Sequence, residues 1–345
     1  MTPARFHAIT DQYAKLRIAI AGDFCLDRYL EIDPARSEVS LETGLPVHNV
    51  VNVRSQPGGA GTILNNLAAL GISAIFPVGF AGEDGEGYEL CRALAARPGV
   101  RMQHFIQTSE RHTFTYCKPL VMEPGKTPRE LNRLDQKNWT PTSTAATGRL
   151  IAALQSLSGE VNALILLGQV DEPETGVLTS GLLLSVARIA EAHPQLTILA
   201  DSRRGLNNFP PVVFKMNAME LAALTGLSTS SGLNEIVAAA SALARRNQRL
   251  VFVTLAERGI IGASPAGETG HVPALPRRGE IDVVGAGDAV TANLTASLAA
   301  RATLLEALEL ANAAASLVIH QLGTTGTATV ADLRNLLFDK HPPGR

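Results

Sequence analysis

The chain contains few residues of the kinds that build metal, disulfide or base-stacking sites. Its 345 residues include 3 cysteines and 1 tryptophan, and aromatic residues make up 4% of the total. Cys25, Cys91 and Cys117 lie too far apart for metal-ligand spacing, and their odd number argues against a disulfide framework. We therefore interpret them as reduced thiols of a cytoplasmic protein.

The chain also lacks a strong net charge and long apolar runs. Its 30 basic and 32 acidic residues give a net charge of −2, so no overall field would attract nucleic acid or an anionic membrane. No stretch approaches about 18 uninterrupted apolar residues, and the N-terminus shows no apolar signal segment. With 46% hydrophobic residues, the sequence predicts a globular protein with no nucleic-acid or membrane partner.

Two common phosphate-binding motifs are excluded by their spacing. A dinucleotide fingerprint that began at Gly285 would need a third glycine where Val290 stands. Gly125-Lys126-Thr127 looks like the end of a P-loop, but Leu120 occupies the position of its first glycine. We interpret this second segment as a solvated loop.

Apolar segments typical of strands alternate along the chain with segments of helical periodicity. This alternation predicts an α/β fold, with a parallel sheet covered by helices on both faces. The predicted strands are residues 17–21, 74–78, 163–167, 197–200, 212–216 and 250–254. The predicted helices are residues 65–70, 89–96, 147–157, 181–192, 234–245, 289–300 and 304–320.

Two segments break this alternation, at residues 31–56 and 111–122. Both mix polar and β-branched residues without a helical period, so we expect extended structure. They would pair as a small β lid beside the main sheet, within one domain spanning residues 1–345. Their exposed edges could join a second subunit, which predicts a homodimer through the lid strands.

The most informative segment runs from Ile281 to Val290, where an apolar stretch passes through two glycines into an alanine-rich helix. A helix N-terminus attracts anions, and Gly285 and Gly287 would let a phosphate approach the backbone. Asp288 beside that turn suggests a general base that takes a proton from a hydroxyl group. The alternative is an ordinary aspartate N-cap after a glycine turn.

Three further segments add to this turn. They are Gly22-Asp23-Phe24-Cys25-Leu26-Asp27, Pro57-Gly58-Gly59-Ala60-Gly61 and Asn217-Ala218-Met219-Glu220. Together with the turn at 285–288, their residues and their order resemble the PfkB/ribokinase family of sugar kinases, from about residue 17 to about residue 328.

The resemblance implies a ribokinase-like α/β sandwich with a small β lid, and ATP-dependent phosphorylation of a sugar or sugar-phosphate hydroxyl. Asp288 would be the general base, and the backbone N–H groups of Gly285, Ala286 and Gly287 would form an anion hole for the transferring phosphate. Asn217 and Glu220, the family's Asn-x-x-Glu, would hold Mg²⁺ through its water shell.

Further roles follow from the same resemblance. Asp27 would bind sugar hydroxyls, with Gly58 and Gly59 letting the sugar approach the backbone. The residues expected to bind the nucleotide are Thr254, Gly259, Asn312 and Gly323. Some members of the family bind K⁺, and the corresponding positions here are Asp282 and Val284, of which Val284 offers only a carbonyl.

Within the family, the segments at 22–29, 132–135 and 201–203 look most like bacterial heptose-7-phosphate kinases. Arg133, Arg203 and Arg204 would then form a basic clamp for a substrate phosphate. Alternatively, these arginines are surface ion-pair partners or nucleotide contacts. The chain ends at Arg345, so we expect a stand-alone kinase without a nucleotidyltransferase domain.

Two departures from the family pattern leave the substrate open. Thr62 stands where an asparagine usually follows the double glycine, and Ala256 replaces the glycine of the family's Thr-x-Gly. One alternative is therefore a kinase of nucleosides or other small alcohols. The other is a non-catalytic sugar-binding protein that retains the fold.

Overall fold

The fold is known from a computed structural model, which describes residues 1–339. The strands within these residues are β1 (Arg17–Gly22), β2 (Phe24–Ile32), β3 (Glu38–Val39), β4 (Pro46–Val47), β5 (Val50–Gly59), β6 (Ala74–Gly82), β7 (Phe105–Thr108), β8 (Phe114–Val121), β9 (Arg129–Glu130), β10 (Leu134–Gln136), β11 (Ala163–Gly168), β12 (Thr197–Ser202), β13 (Val213–Asn217), β14 (Val251–Thr254), β15 (Ile260–Ala263) and β16 (Thr269–Val272). The α-helices of the same residues are α1 (Pro3–Thr10), α2 (Ala60–Ala69), α3 (Gly85–Ala95), α4 (Thr144–Leu157), α5 (Ser180–Ala192), α6 (Ala218–Thr225), α7 (Leu233–Asn247), α8 (Ala286–Ala299), α9 (Leu304–Val318) and α10 (Val330–Phe338).

Over residues 1–339, the large sheet has the strand order β16-β15-β14-β13-β12-β11-β1-β6-β7. The strands from β14 to β7 are parallel to one another, and β15 and β16 extend the edge beyond β14 in antiparallel fashion. Helices pack on both faces, as the core clusters show. The α/β fold class predicted from the sequence is confirmed.

The central strand β1 shows how the sequence builds both cores. Ile18 and Ile20 belong to a core shared with α2, α8 and α9, whereas Ala19 and Ala21 belong to a core shared with α4, α5 and α7. All four side chains are fully buried. Successive residues of a strand point to opposite faces, so an uninterrupted apolar run is what a doubly covered parallel strand requires.

A second sheet, here named the small sheet, has the order β10-β8-β2-β5, with β9 paired to β8. Strand β2 is antiparallel to β5 and parallel to β8. Residues 31–56 supply the end of β2, most of β5 and the β3–β4 hairpin, and residues 111–122 supply β8. Asp23 alone separates β1 from β2, so the small sheet grows directly from the large one.

The junction of β5 and α2 requires glycine at one position. Gly59 adopts φ 56° and ψ −122°, and a Cβ atom there would lie 2.6 Å from the carbonyl oxygen of Asp23. An L-residue would meet both backbone strain and a clash. The double glycine thus lets β5 turn into α2 directly against the start of β2.

Among residues 1–339, no helix is both long and apolar enough to cross a membrane.

Candidate active site

The N-terminus of α8 forms the floor of the site. Gly285 is the N-cap residue in the left-handed conformation, with φ 82°, and no side chain caps this helix. The N–H of Ala286 donates to the carbonyl oxygen of Val283 at 3.2 Å. The N–H groups of Gly287 and Asp288 have no acceptor within residues 1–339. The turn therefore presents free backbone donors, at Gly287 and Asp288 rather than at Ala286.

Asp288 lies in the first turn of α8, not at its N-cap. The N-cap alternative considered from the sequence is thus wrong, because Gly285 holds that position. Burial, and next the nearby carboxylate of Asp201, raise the pKa of Asp288 to about 7, although Lys215 opposes the rise. A carboxyl group with such a pKa is suited to accept a proton near neutral pH.

A buried ion pair lies behind this turn. Lys215 Nζ on β13 is 2.7 Å from Asp201 Oδ2 at the end of β12, and Thr291 Oγ1 on α8 donates to the same oxygen at 2.9 Å. Burial alone would lower the pKa of Lys215, but the pairing with Asp201 raises it. Sequence reasoning missed this pair, although a lysine inside an otherwise apolar strand was a signal of it.

Asp27 occupies the middle of β2, buried, with Gln56 and Tyr116 opposite it on the flanking strands. A Cβ atom on Gly58 would lie 2.5 Å from Asp27 Oδ2, so glycine there gives the carboxylate its space. Burial raises the pKa of Asp27, and Lys118, 3.6 Å from Oδ1, opposes the rise. Lys118 is a second residue that sequence reasoning missed.

Asp27 and Asp288 lie within electrostatic reach of each other, although one belongs to the small sheet and the other to α8. The Asp27 carboxylate is one of the charges that raise the pKa of Asp288, and the Cys25 thiol lies within the field of both. Helices α2 and α8 also converge, since a Cβ atom on Gly285 would lie 3.5 Å from the Thr62 methyl group of α2. The structure therefore brings together the two carboxylates that the sequence singled out.

Two of the three predicted arginines act on the carboxylates of the site. Arg133 pairs with Asp135 at 2.9 Å and lies 5.0 Å over the ring of Tyr116, and its charge helps to hold down the pKa of Asp27. Arg203 is exposed, and its positive charge opposes the rise in the pKa of Asp288.

Arg204 lines a cavity of about 460 Å³ together with Asp23 and Ser202. The ion pair of Arg133 matches the alternative reading of that residue, although it lies beside Asp27.

Asn217 and Glu220 form a capping box at the start of α6. Glu220 N donates to Asn217 Oδ1 at 2.9 Å, and Asn217 N donates to Glu220 Oε2 at 2.7 Å. Glu220 Oε1 accepts no hydrogen bond from residues 1–339, so one carboxylate oxygen stays free for a hydrated cation. Within the same residues no cluster of three or more His, Cys, Asp or Glu side chains could hold a bare metal ion.

The predicted nucleotide residues have clear local roles. Thr254 Oγ1 donates to the carbonyl oxygen of Met216 at 3.4 Å, and Asn312 Nδ2 donates to that of Pro273 at 2.9 Å. Gly259 adopts φ 92°, where a side chain would overlap the neighbouring strand, and Gly323 adopts φ 69° in an exposed loop.

Asp282 Oδ1 accepts the N–H of Val284 at 3.0 Å, which shapes the turn before Gly285. The loop between α9 and α10 packs against this turn, because a Cβ atom on Gly285 would lie 3.2 Å from Thr325. That loop also reaches the small sheet, where Thr324 Oγ1 donates to Gln56 Oε1 at 3.0 Å.

Comparisons with known proteins agree with this arrangement. Residues 186–330 match the pfkB family carbohydrate kinases. The bifunctional protein HldE of Azorhizobium caulinodans is 33% identical over 321 residues, which cover 93% of this chain and 64% of that protein. The chain thus spans less than two thirds of that relative's length. For HldE of Hyphomonas neptunium the identity is 31%, with 99% of this chain and 68% of the relative covered.

Solved structures show the same fold at low identity. Arabidopsis thaliana ribokinase, complexed with ribose and ATP, has a TM-score of 0.68 at 18% identity, covering 94% of this chain and 99% of the other. Phosphofructokinase-2 from Escherichia coli, in complex with potassium, has a TM-score of 0.73 at 19% identity, covering 93% and 98%.

Proposed function

The chain belongs to the pfkB family of carbohydrate kinases, and from this we propose that it transfers the γ-phosphoryl group of ATP to a hydroxyl of a phosphorylated sugar. One observation carries the proposal. Asp288, with a pKa of about 7 that the Asp27 carboxylate helps to raise, stands beside the free backbone N–H groups at the start of α8. A base, an anion site and a hydroxyl-binding carboxylate are the parts that such a transfer needs.

In the proposed reaction, Asp27 orients the sugar and Asp288 accepts the proton of the attacking hydroxyl. The sugar oxygen forms a bond to the γ-phosphorus as the bond between that phosphorus and the β–γ bridging oxygen breaks, and ADP leaves with its electron pair. Asp288 then returns its proton to solvent. The free N–H groups of Gly287 and Asp288 stabilise the charge on the transferring group.

Asn217 and Glu220 would hold Mg²⁺ through its water shell. The free Oε1 atom of Glu220 fits that role, since Mg²⁺ gives up its water reluctantly and needs only an oxygen that accepts hydrogen bonds from the shell. When bound, the ion neutralises charge on the nucleotide phosphates. The nucleotide would lie along the ends of β13 and β14, next to Thr254 and Gly259.

A monovalent cation such as K⁺ would fit the turn before Gly285. One oxygen of Asp282 already accepts the Val284 N–H, so the turn is fixed and the second carboxylate oxygen remains available. The carbonyl of Val284 would be a second ligand. Comparing turnover in K⁺ with turnover in tetramethylammonium tests this site.

The substrate class follows from the charges around Asp27. Lys118 and Arg133 place two cations beside the predicted sugar-binding carboxylate, which suits a sugar that already carries a phosphate. The likeness of residues 132–135 to heptose-7-phosphate kinases makes heptose 7-phosphate the first candidate. The test is a coupled assay of ADP release over hexoses, heptoses, their phosphates and nucleosides, with Asp288→Asn as the inactive control.

We propose that the small sheet acts as a lid over the sugar and as a dimer interface. Strand β5 is the edge of this sheet, and its Val51 and Val53 side chains are 52% and 45% exposed. An apolar sheet edge of this kind pairs readily with another strand. A second copy of the chain would cover both the edge and the valines.

A further inference from the structure

Asp201 makes contacts that tie together the elements carrying the site. Its Oδ2 atom accepts a hydrogen bond from Lys215 Nζ at 2.7 Å and another from Thr291 Oγ1 at 2.9 Å. Asp201 is the second-last residue of β12, Lys215 lies in β13, and Thr291 stands in the second turn of α8. All three side chains are buried, so water does not compete for these bonds. One carboxylate oxygen therefore fixes α8 to the carboxyl-terminal ends of strands in the middle of the large sheet.

The lysine held in this way lies against the turn that presents the free N–H groups. A Cβ atom on Gly287 would lie 3.2 Å from Lys215 Nζ, and no other atom from outside that turn comes within 4 Å. The backbone of Gly287 and the ammonium group thus border the same small space. An anion bound at the turn would meet the backbone donors and the ammonium together.

A purely structural role explains this arrangement poorly. Burying the two charges of this pair costs desolvation energy, and apolar residues of similar size would pack there at least as well. Asp201 is also a neighbour of Asp288 that raises its pKa, as does Asp27, while Lys215 and Arg203 act in the opposite sense. The pair therefore belongs electrostatically to the site.

We propose that Asp201 is a positioning residue that acts through Lys215 and Thr291. It holds the ammonium group behind the Gly287 turn, where the terminal phosphate of a nucleoside triphosphate would bind, and it fixes the angle at which α8 presents Asp288. The inference rests on the proposed function for its catalytic part and on nucleotide binding alone for its phosphate part.

Three substitutions test the inference. Asp201→Asn keeps the size of the side chain but removes the charge that holds Lys215. Thr291→Val removes only the hydroxyl, and Thr291→Ser restores it. Thr295→Val is the matched control, since Thr295 is a buried threonine of the same helix whose hydroxyl donates to the backbone carbonyl of Thr291 instead.

Binding is measured first, by calorimetry with MgATP and MgADP in the absence of sugar. We expect Asp201→Asn to weaken ATP binding about tenfold or more and ADP binding far less, because Lys215 would face the terminal phosphate. Thr291→Val should do so to a smaller extent, and Thr291→Ser should recover most of the loss. Equal effects on both nucleotides, or none, would overturn the phosphate part.

Turnover is measured next. We expect Asp201→Asn to lower kcat about 10- to 100-fold with little change in KM for the sugar, and to move the acid limb of kcat/KM to lower pH, since a negative charge beside Asp288 is lost. Thr291→Val should lower kcat without moving that limb, whereas Thr295→Val should lower only the melting temperature.

The inference fails if the Asp201 and Thr291 variants merely melt earlier, with unchanged kcat and pH profile. Should Asp201→Asn not fold, the two Thr291 variants decide the question. A wild-type protein that binds ATP but phosphorylates no sugar would refute the proposed function, and the calorimetry would still judge the role of Asp201 in phosphate binding.

Discussion

Lys118 holds its ammonium nitrogen 3.6 Å from Oδ1 of Asp27, between the neighbouring parallel strands β8 and β2. The same nitrogen lies 3.5 Å from the hydroxyl oxygen of Tyr29 and 4.9 Å from the centre of its ring. Positive charge is thereby fixed next to the carboxylate that would bind sugar hydroxyls. A sugar that brings its own phosphate would find a cation already in place, at little cost in side-chain ordering.

The first prediction concerns this lysine. Lys118→Ala should raise KM for a phosphorylated sugar about ten- to hundredfold, as expected when a hydrogen bond to a charged group is lost, and leave KM for ATP nearly unchanged. Lys126→Ala is the matched control, since Lys126 is an exposed lysine paired with Glu123 in the loop after β8. Steady-state kinetics with both substrates varied gives the answer, and a rise in both KM values would reject the assignment.

The second prediction concerns the general base. Asp288→Asn should reduce kcat by about 10²–10⁴-fold, because the hydroxyl proton loses its acceptor. MgATP binding should stay close to that of the wild type, and the melting temperature should not fall, since the side chain caps no helix. Activity within a few-fold of the parent protein would remove Asp288 from this role.

The third prediction is a pH dependence. With a pKa of about 7 in the free protein, Asp288 is protonated below that pH, so kcat/KM should fall about tenfold per pH unit below 7. The raised pKa also makes the folded state less stable as the pH rises, because the carboxyl of the unfolded chain ionises near its ordinary value. Wild-type stability should therefore decline relative to Asp288→Asn as pH rises from about 4 to about 7. Parallel melting curves across that range would show that the pKa is not raised.

The fourth prediction separates metal binding from helix capping. Glu220→Gln should raise the Mg²⁺ concentration for half-maximal rate about 10- to 100-fold, as is typical for the loss of an outer partner of a metal. Glu235 is the ideal control, because it occupies the same third position in α7 and its carboxylate likewise accepts the N–H of the N-cap residue. Both Gln variants should lose similar stability, at most about 1 kcal/mol. An Mg²⁺ titration identical for the two variants would exclude Glu220 from the metal site.

The fifth prediction concerns the edge of the small sheet. Val51→Asp should convert a dimer into a monomer in light scattering at micromolar concentration, because a buried charge would oppose the pairing of two β5 edges. Leu184→Asp is the control, since this side chain is 65% exposed but lies on helix α5, outside the small sheet. A wild-type monomer at high concentration, or a dimer that survives Val51→Asp, contradicts the proposed interface.

Family and fold class were predictable from the sequence, and both predictions are confirmed. Local patterns of apolar residues predict the strand and helix segments. The glycines at 285 and 287 indicate the turn by residue type alone. Proximity across the chain is a different matter. Asp27 and Asp288 are 261 positions apart (288 minus 27), and only the folded topology brings them within electrostatic reach of each other.

The residues that sequence reasoning missed share one property. Lys118 and Lys215 are cations inside strands, and their meaning depends on the carboxylate across the sheet or behind it. No local sequence pattern predicts such a partner, since the register and the order of the strands determine which residues become neighbours. The basic clamp of Arg133, Arg203 and Arg204 stays a prediction, and Arg204 lines a cavity together with Asp23.

The direct passage from β1 through Asp23 into β2, and from β5 into α2, gives the molecule a particular mechanics. Neither of these two connections contains a loop of more than one residue. The carboxylate of Asp23 accepts hydrogen bonds from the N–H groups of Gln169, Val170 and Val177. We therefore expect the small sheet to move by bending of its strands at these two connections rather than by rotation about a loop there.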